Sequence, residues 1–173
     1  MPKIGLVFRD QVLDRLKDAT YGFNTVLAAV APDYGLAPFE INWDPATSKN
    51  FVLGMIEPAE IQDAKPLRYP LVTLFTGNGV NKKLHKPAEF DGPVDVGIDF
   101  HFSWKAAAAL GDFDAMSHMV EDAMIRVFNR EPNWFSGQVA YDGDIGWEKK
   151  PVKFGGENWF QLVRYYLIAE VWD

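Results

Sequence analysis

The sequence predicts an α+β fold, a single domain over residues 1–173 whose mostly antiparallel β-sheet is flanked by two main α-helices. Three observations carry this. Over residues 94–104, Val94, Val96, Ile98, Phe100, Phe102 and Trp104 alternate with Asp95, Gly97, Asp99, His101 and Ser103, which is the two-residue period of a strand. Two other stretches, about 9–31 and about 112–129, repeat their apolar residues at spacings of three and four, as one face of a helix does. The closing run, 159–172, is rich in β-branched and aromatic residues on both sides, which predicts a strand well inside a sheet or at an interface. Strict alternation further implies one face on a core and one toward water or a partner, so the polar side of 94–104 is the first place to look for function.

In chain order, Val12, Leu13, Leu16, Ala19, Phe23, Val26, Leu27 and Val30 predict one amphipathic helix that Pro32 stops, with Gly22 a point of bending or breakage. Residues 39–43 and 51–56 read as short strands, paired as a hairpin through the turn-forming composition of 44–48. A polar stretch, 57–68, leads into the continuous apolar run 69–75, which has the length of a central strand. A long loop at about 77–92 follows, and it holds the chain's locally basic patch, Lys82, Lys83, His85 and Lys86. The second helix starts at Asp112 or Asp114, either of which can cap it, and buries Met116, Met119, Val120, Ala123, Met124 and Val127 before Pro132 bars continuation. Residues 134–158 hold short strand-like pieces around Asp142-Gly143-Asp144, which reads as a turn, and around Gly155-Gly156.

Composition narrows the function classes. With 173 residues and 48% apolar content the chain can bury a core of its own. A formal charge of −7 offers no cationic excess to displace counterions from DNA, which argues against a sequence-specific reader. The absence of cysteine removes disulfides, thiolate nucleophiles and thiolate-bound metals. No run reaches the ~20 apolar residues of a membrane span, and the first residues lack the pattern of a signal peptide, so no membrane partner is expected and synthesis is placed in the cytoplasm. Aromatic residues make up 14% of the chain, and part of them are expected to face partners.

The chemistry in view is sparse. Asp95, Asp99 and His101 share one side of a strand, where same-side neighbours stand roughly 6.6–7 Å apart; Asp99 and His101 can reach one ion, while Asp95 needs help from a neighbouring strand. A solvated or partner-facing polar face is the plainer reading. Asp142-Gly143-Asp144 lacks the later ligands of a calcium loop, and no nucleophile elbow, zinc-protease, Walker or dinucleotide pattern occurs. No catalytic residue, cofactor or metal is therefore assigned.

The order of elements resembles the tail terminator and related neck proteins of long-tailed bacteriophages. The resemblance is carried by Tyr69-Pro70-Leu71-Val72-Thr73-Leu74-Phe75, by the alternating strand after a glycine-bearing loop, by the helix with Met119, Val120 and Ile125, and by Arg164-Tyr165-Tyr166-Leu167-Ile168-Ala169-Glu170-Val171-Trp172. It implies a non-enzymatic virion protein that forms a hexameric ring, caps the tail tube and joins it to the head. Its partners are then the tail tube protein, the head-proximal neck and connector proteins, and the DNA that passes. Head-closure and tail-completion proteins are the neighbouring alternatives, and a small metal-dependent enzyme using Asp95, Asp99 and His101 is the rival from another class. On the neck reading, Trp159, Tyr165, Tyr166 and Trp172 contribute to a subunit contact, Lys82, Lys83 and Lys86 dock an acidic neighbour, and Asp95, Asp99 and His101 face the channel.

Overall fold

A computed structural model describes residues 4–55, 68–80, 82, 90–105, 111–130 and 134–172. The order is α1 (Ile4–Leu16), α2 (Phe23–Val30), a 3-10 turn (Ala31–Tyr34), β1 (Phe51–Leu53), β2 (Leu71–Gly79), β3 (Asp91–Lys105), α3 (Gly111–Asn129), β4 (Trp134–Ser136), β5 (Val139–Lys149), β6 (Lys153–Gly155) and β7 (Asn158–Trp172). The strands form one mixed, mostly antiparallel sheet in the order β1-β2-β3-β7-β5-β4, with β6 beside the start of β7. Only β1 and β2 run parallel among the described pairs. The centre is the β3–β7 ladder, unbroken from Asp91↔Trp172 to Lys105↔Asn158.

Alternation along these two strands sets the layers. Val96, Ile98 and Phe100 of β3 and Val163, Tyr165 and Leu167 of β7 are buried together with Phe8 and Val12 of α1, Phe23 and Leu27 of α2, and Met119, Val120 and Met124 of α3. Three helices thus cover one face of the sheet. Tyr141 and Tyr165 lie in this core, and burial pushes both phenols far up, with Asp144 and Asp142 adding to the effect at Tyr141 and Glu121 at Tyr165.

The helical half departs from expectation at one point. Instead of a single helix over about 9–31 there are two, because Asp18 turns its carboxylate onto the backbone N–H groups of Thr20 and Tyr21 at 2.8 and 2.7 Å and ends the first. Those bonds also hold the Asp18 carboxyl below the usual range. The chain then doubles back so tightly that a Cβ on Gly22 would lie 2.3 Å from the Asp18 carbonyl oxygen and 2.6 Å from that of Leu16. Ala19, counted as a helix-face residue from its spacing, falls in the break and is exposed. Pro32 sits at the start of the 3-10 turn, which Gly35 closes at φ 65°.

The expected hairpin over residues 39–56 does not form. Residues 39–43 are extended but belong to no ladder, since side-chain amides take the place of a partner strand: Asn24 bonds both backbone groups of Ile41 at 2.9 and 3.0 Å, and Asn50 donates to the Glu40 carbonyl at 2.7 Å. Ile41 and Trp43 are buried, which accounts for the apolar run. The turn at 44–48 is present, closed by Asp44 accepting from Ala46 N–H and the Thr47 hydroxyl, and β1 pairs with β2 instead. β2 runs on to Gly79 and β3 begins at Asp91, so the connection is shorter than 77–92. Asp142-Gly143-Asp144 is not a turn: it is a bulge inside β5, where register shifts between Tyr141↔Ala169 and Ile145↔Leu167 and Gly143 takes φ 98°. The strand-like pieces expected around Gly155-Gly156 are β6 and β7, with Gly156 at φ 63° in the turn between them. The stretch 57–67, most of 81–89, and Pro132 lie outside the described residues.

Gly22→Ala should lower unfolding stability by about 1–3 kcal/mol in a denaturant titration, because its Cβ meets backbone rather than a movable side chain. Ala19→Ser, in the exposed break, should stay within about 0.5 kcal/mol. For Tyr141 and Tyr165 the fold favours the neutral phenol, so the unfolded chain loses those protons first as pH rises past about 10. Stability should therefore be fully held below that pH and fall above it, and the Tyr141→Phe/Tyr165→Phe double variant should show a shallower alkaline decline.

Candidate functional site

The other face of the sheet carries no described helix, and it is built from the residues that alternate with the core. On it, three large side chains lie across glycines of the next strand. Phe75 covers Gly97, where a Cβ would come 2.3 Å from the ring; Tyr166 covers Gly146 at the same distance; and the Asp95 carboxylate lies over Gly77, with Oδ1 2.5 Å from the Cβ position. A flat glycine surface lets a ring pack directly on backbone, so each pair seals a gap that the missing side chain leaves.

The middle of this face is an ion pair. Asp99 and Arg164 stand opposite one another in the β3–β7 register, and the guanidinium donates from Nε to Oδ1 and from Nη2 to Oδ2, both at 2.7 Å. The Asp99 side chain is 5% exposed and that of Arg164 is 32% exposed. The guanidinium also stands 5.3 Å from the centre of the Phe75 ring. Both carboxylate oxygens are thus committed to a planar, bidentate contact, which is the strong form of such a bond.

This geometry sorts the residues singled out from sequence. Asp99 is no solvated channel group, since both its oxygens accept from Arg164 and its side chain is 5% exposed; His101 is half-buried on the same face between Leu71 and Leu162. Among the described residues no cluster of His, Asp and Glu is arranged to hold a metal ion. Tyr165 points into the core with no exposed surface, so the partner contact expected of it is not available in this fold. Trp159 packs against the core edge with the Phe154 ring 4.8 Å away, and Trp172 is half-buried at the end of β7. Tyr166 and Ile168, by contrast, are 41% and 37% exposed, side by side on the helix-free face of a central strand. Lys82 pairs with Glu170 at 2.7 Å, both ends in water, while Lys83 and Lys86 lie outside the described residues.

A second feature lies at one end of the sheet, where Phe39, Tyr69, Pro70, Phe102, Trp104 and Met116 line a hollow of about 490 Å³. It is apolar and open, without the converging polar groups that orient a substrate. No family model matches the chain, and no curated protein does.

Arg164 is the functional-face residue that sequence reasoning passed over. Its signal was present as a lone cation in an otherwise apolar run, but only the ladder register shows that it meets Asp99. Arg164→Ala should cost about 3 kcal/mol, the low end for breaking a buried pair because the arginine is partly in water, and Asp99→Leu combined with Arg164→Met should recover most of that loss in the same denaturant titration.

Proposed function

We propose that the chain is a structural subunit of a long-tailed bacteriophage neck, a tail terminator that assembles into a hexameric ring, caps the tail tube and joins it to the head. The observation that carries this reading is the pair Tyr166 and Ile168. A central strand is where a lone domain covers its apolar surface, and here adjacent apolar side chains stand open on the face that has no described helix. A second copy of the chain supplies the missing cover. The α+β layout, with a long alternating strand followed by a helix and an aromatic closing strand, supports the same reading through its resemblance to neck proteins.

In such a ring the acidic excess is repeated by every copy. Asp95 and His101, beside the contact, are the residues we place toward the channel; negative charge there keeps passing phosphate from being held. The virion tail is then the protein's final location, with the tail tube protein and the head-proximal connector as its partners.

The purified chain should form a ring at micromolar concentration, read as hexamer mass by light scattering and as sixfold particles by electron microscopy. A monomer under all conditions, including addition of tail tubes, would count against the proposal. Ile168→Thr, which keeps a β-branched side chain and adds no charge opposite Asp95, should shift unfolding of the subunit by no more than about 0.5 kcal/mol while weakening the ring.

A further inference from the structure

Along one edge β5 pairs with β7, in register from Ile145↔Leu167 to Lys149↔Val163, and the bond from Lys150 N–H to the Leu162 carbonyl at 2.8 Å fixes the phase of that ladder. In an antiparallel pair only alternate residues exchange bonds, so Gly146 and Glu148 turn their backbone groups toward β7, while Ile145, Trp147 and Lys149 turn theirs away. β4 takes the outer edge at residues 139–141. Over 145–149 no described strand lies beside it.

Open edges are usually guarded by a lysine, a proline or a bulge. Here the guards stand at the ends of the stretch, the bulge at Gly143 before it and Pro151 after it. Lys149 does not cover the edge, because its ammonium is drawn to Glu121 of α3 at 3.6 Å. At the middle stands Trp147, 41% exposed.

The stretch is complementary to itself. Laid antiparallel on a second copy with Trp147 opposite Trp147, it sets Ile145 opposite Lys149, so every outward-turned residue of one copy meets an outward-turned residue of the other. Moving the register by one bonded pair brings in either Pro151, which has no N–H, or the bulge at Gly143. The favoured register also puts Asp144 opposite Lys150 at each end. Lys150 donates to Glu148 at 2.6 Å in its own chain and has donors left for a second acid. Pro151 ends the pairing before it reaches the positions that β4 occupies. Since both copies use the same edge, the contact closes at a pair.

We propose that residues 145–149 of β5 are a docking edge for a second copy of this chain, joined antiparallel about Trp147 so that one sheet runs through both. The contact lies on the rim of the sheet, apart from Tyr166 and Ile168, and does not rest on the neck reading.

Amide hydrogen exchange of the 15N-labelled chain reads this residue by residue. Gly146 and Glu148, bonded inside the subunit, should be protected at every concentration. Ile145, Trp147 and Lys149 should exchange at least about tenfold more slowly in the concentrated than in the dilute chain. An equal mixture of 13C-labelled and unlabelled chain should show an interchain contact between the Hα atoms of Gly146 and Glu148, the close pair between the bonded ones. Trp147→Lys, which sets lysine against lysine, should remove the protection at 145 and 149 and keep it at Gly146 and Glu148. Asp144→Lys, which sets a like charge against Lys150 from an exposed position, should act in the same direction. Concentration-independent exchange at Ile145, Trp147 and Lys149, or protection that survives both variants, overturns the edge. Protection without the Gly146–Glu148 contact overturns pairing with a second copy in this register.

Discussion

Fifteen residue pairs of β3 and β7 run without interruption, and the rest of the structure hangs on that ladder. Because side chains alternate, one register fixes both faces at once. A slip by one residue would turn Val96, Ile98 and Phe100 out of the helical layer and bring Asp95 and Asp99 into it. The Asp99–Arg164 pair acts in the same sense. It is satisfied only when these two positions stand opposite one another, and in any other register it leaves a charge buried without its partner. The pair thus specifies the ladder whose hydrophobic side stabilises the domain.

From this ladder follows the asymmetry of the molecule. One face takes all three described helices, and on the other the described residues lay side chains over glycines and make one bidentate contact. Such a face is orderly but not fully withdrawn from water, as Tyr166 and Ile168 show. A face built this way leaves apolar side chains for a neighbour to cover. That combination suits a component of an assembly.

How much of this was legible depended on whether the controlling interaction was local. The long strand and the helix over Gly111–Asn129 could be read because burial imposes a period on the sequence that persists for many residues, and the closing strand because its residues are β-branched and aromatic. The break between α1 and α2 could not, since Val12, Leu16, Phe23 and Leu27 keep helical spacing across it and the interruption comes from one carboxylate bonding to backbone. Residues 39–43 look like a strand because they are buried, yet Asn24 and Asn50 rather than a strand satisfy their backbone. At the candidate site, Asp99 was visible as a residue and its role was not: the decisive partner lies 65 positions away and meets it only through pairing. The exposure of Tyr166 beside the burial of Tyr165 follows from the same alternation, once the core side of β7 is known.

The central claim is that the helix-free face joins copies of the chain. Since the chain has no cysteine, a single Ile168→Cys variant can carry one spin label at the middle of that face. Its accessibility to a water-soluble relaxation agent, compared with that of a label at Lys17 on the exposed break after α1, reads the claim directly. In the assembled protein the label at 168 should lose most of its accessibility and the label at 17 should keep it. Equal accessibility of the 168 label in monomer and assembly would contradict the account.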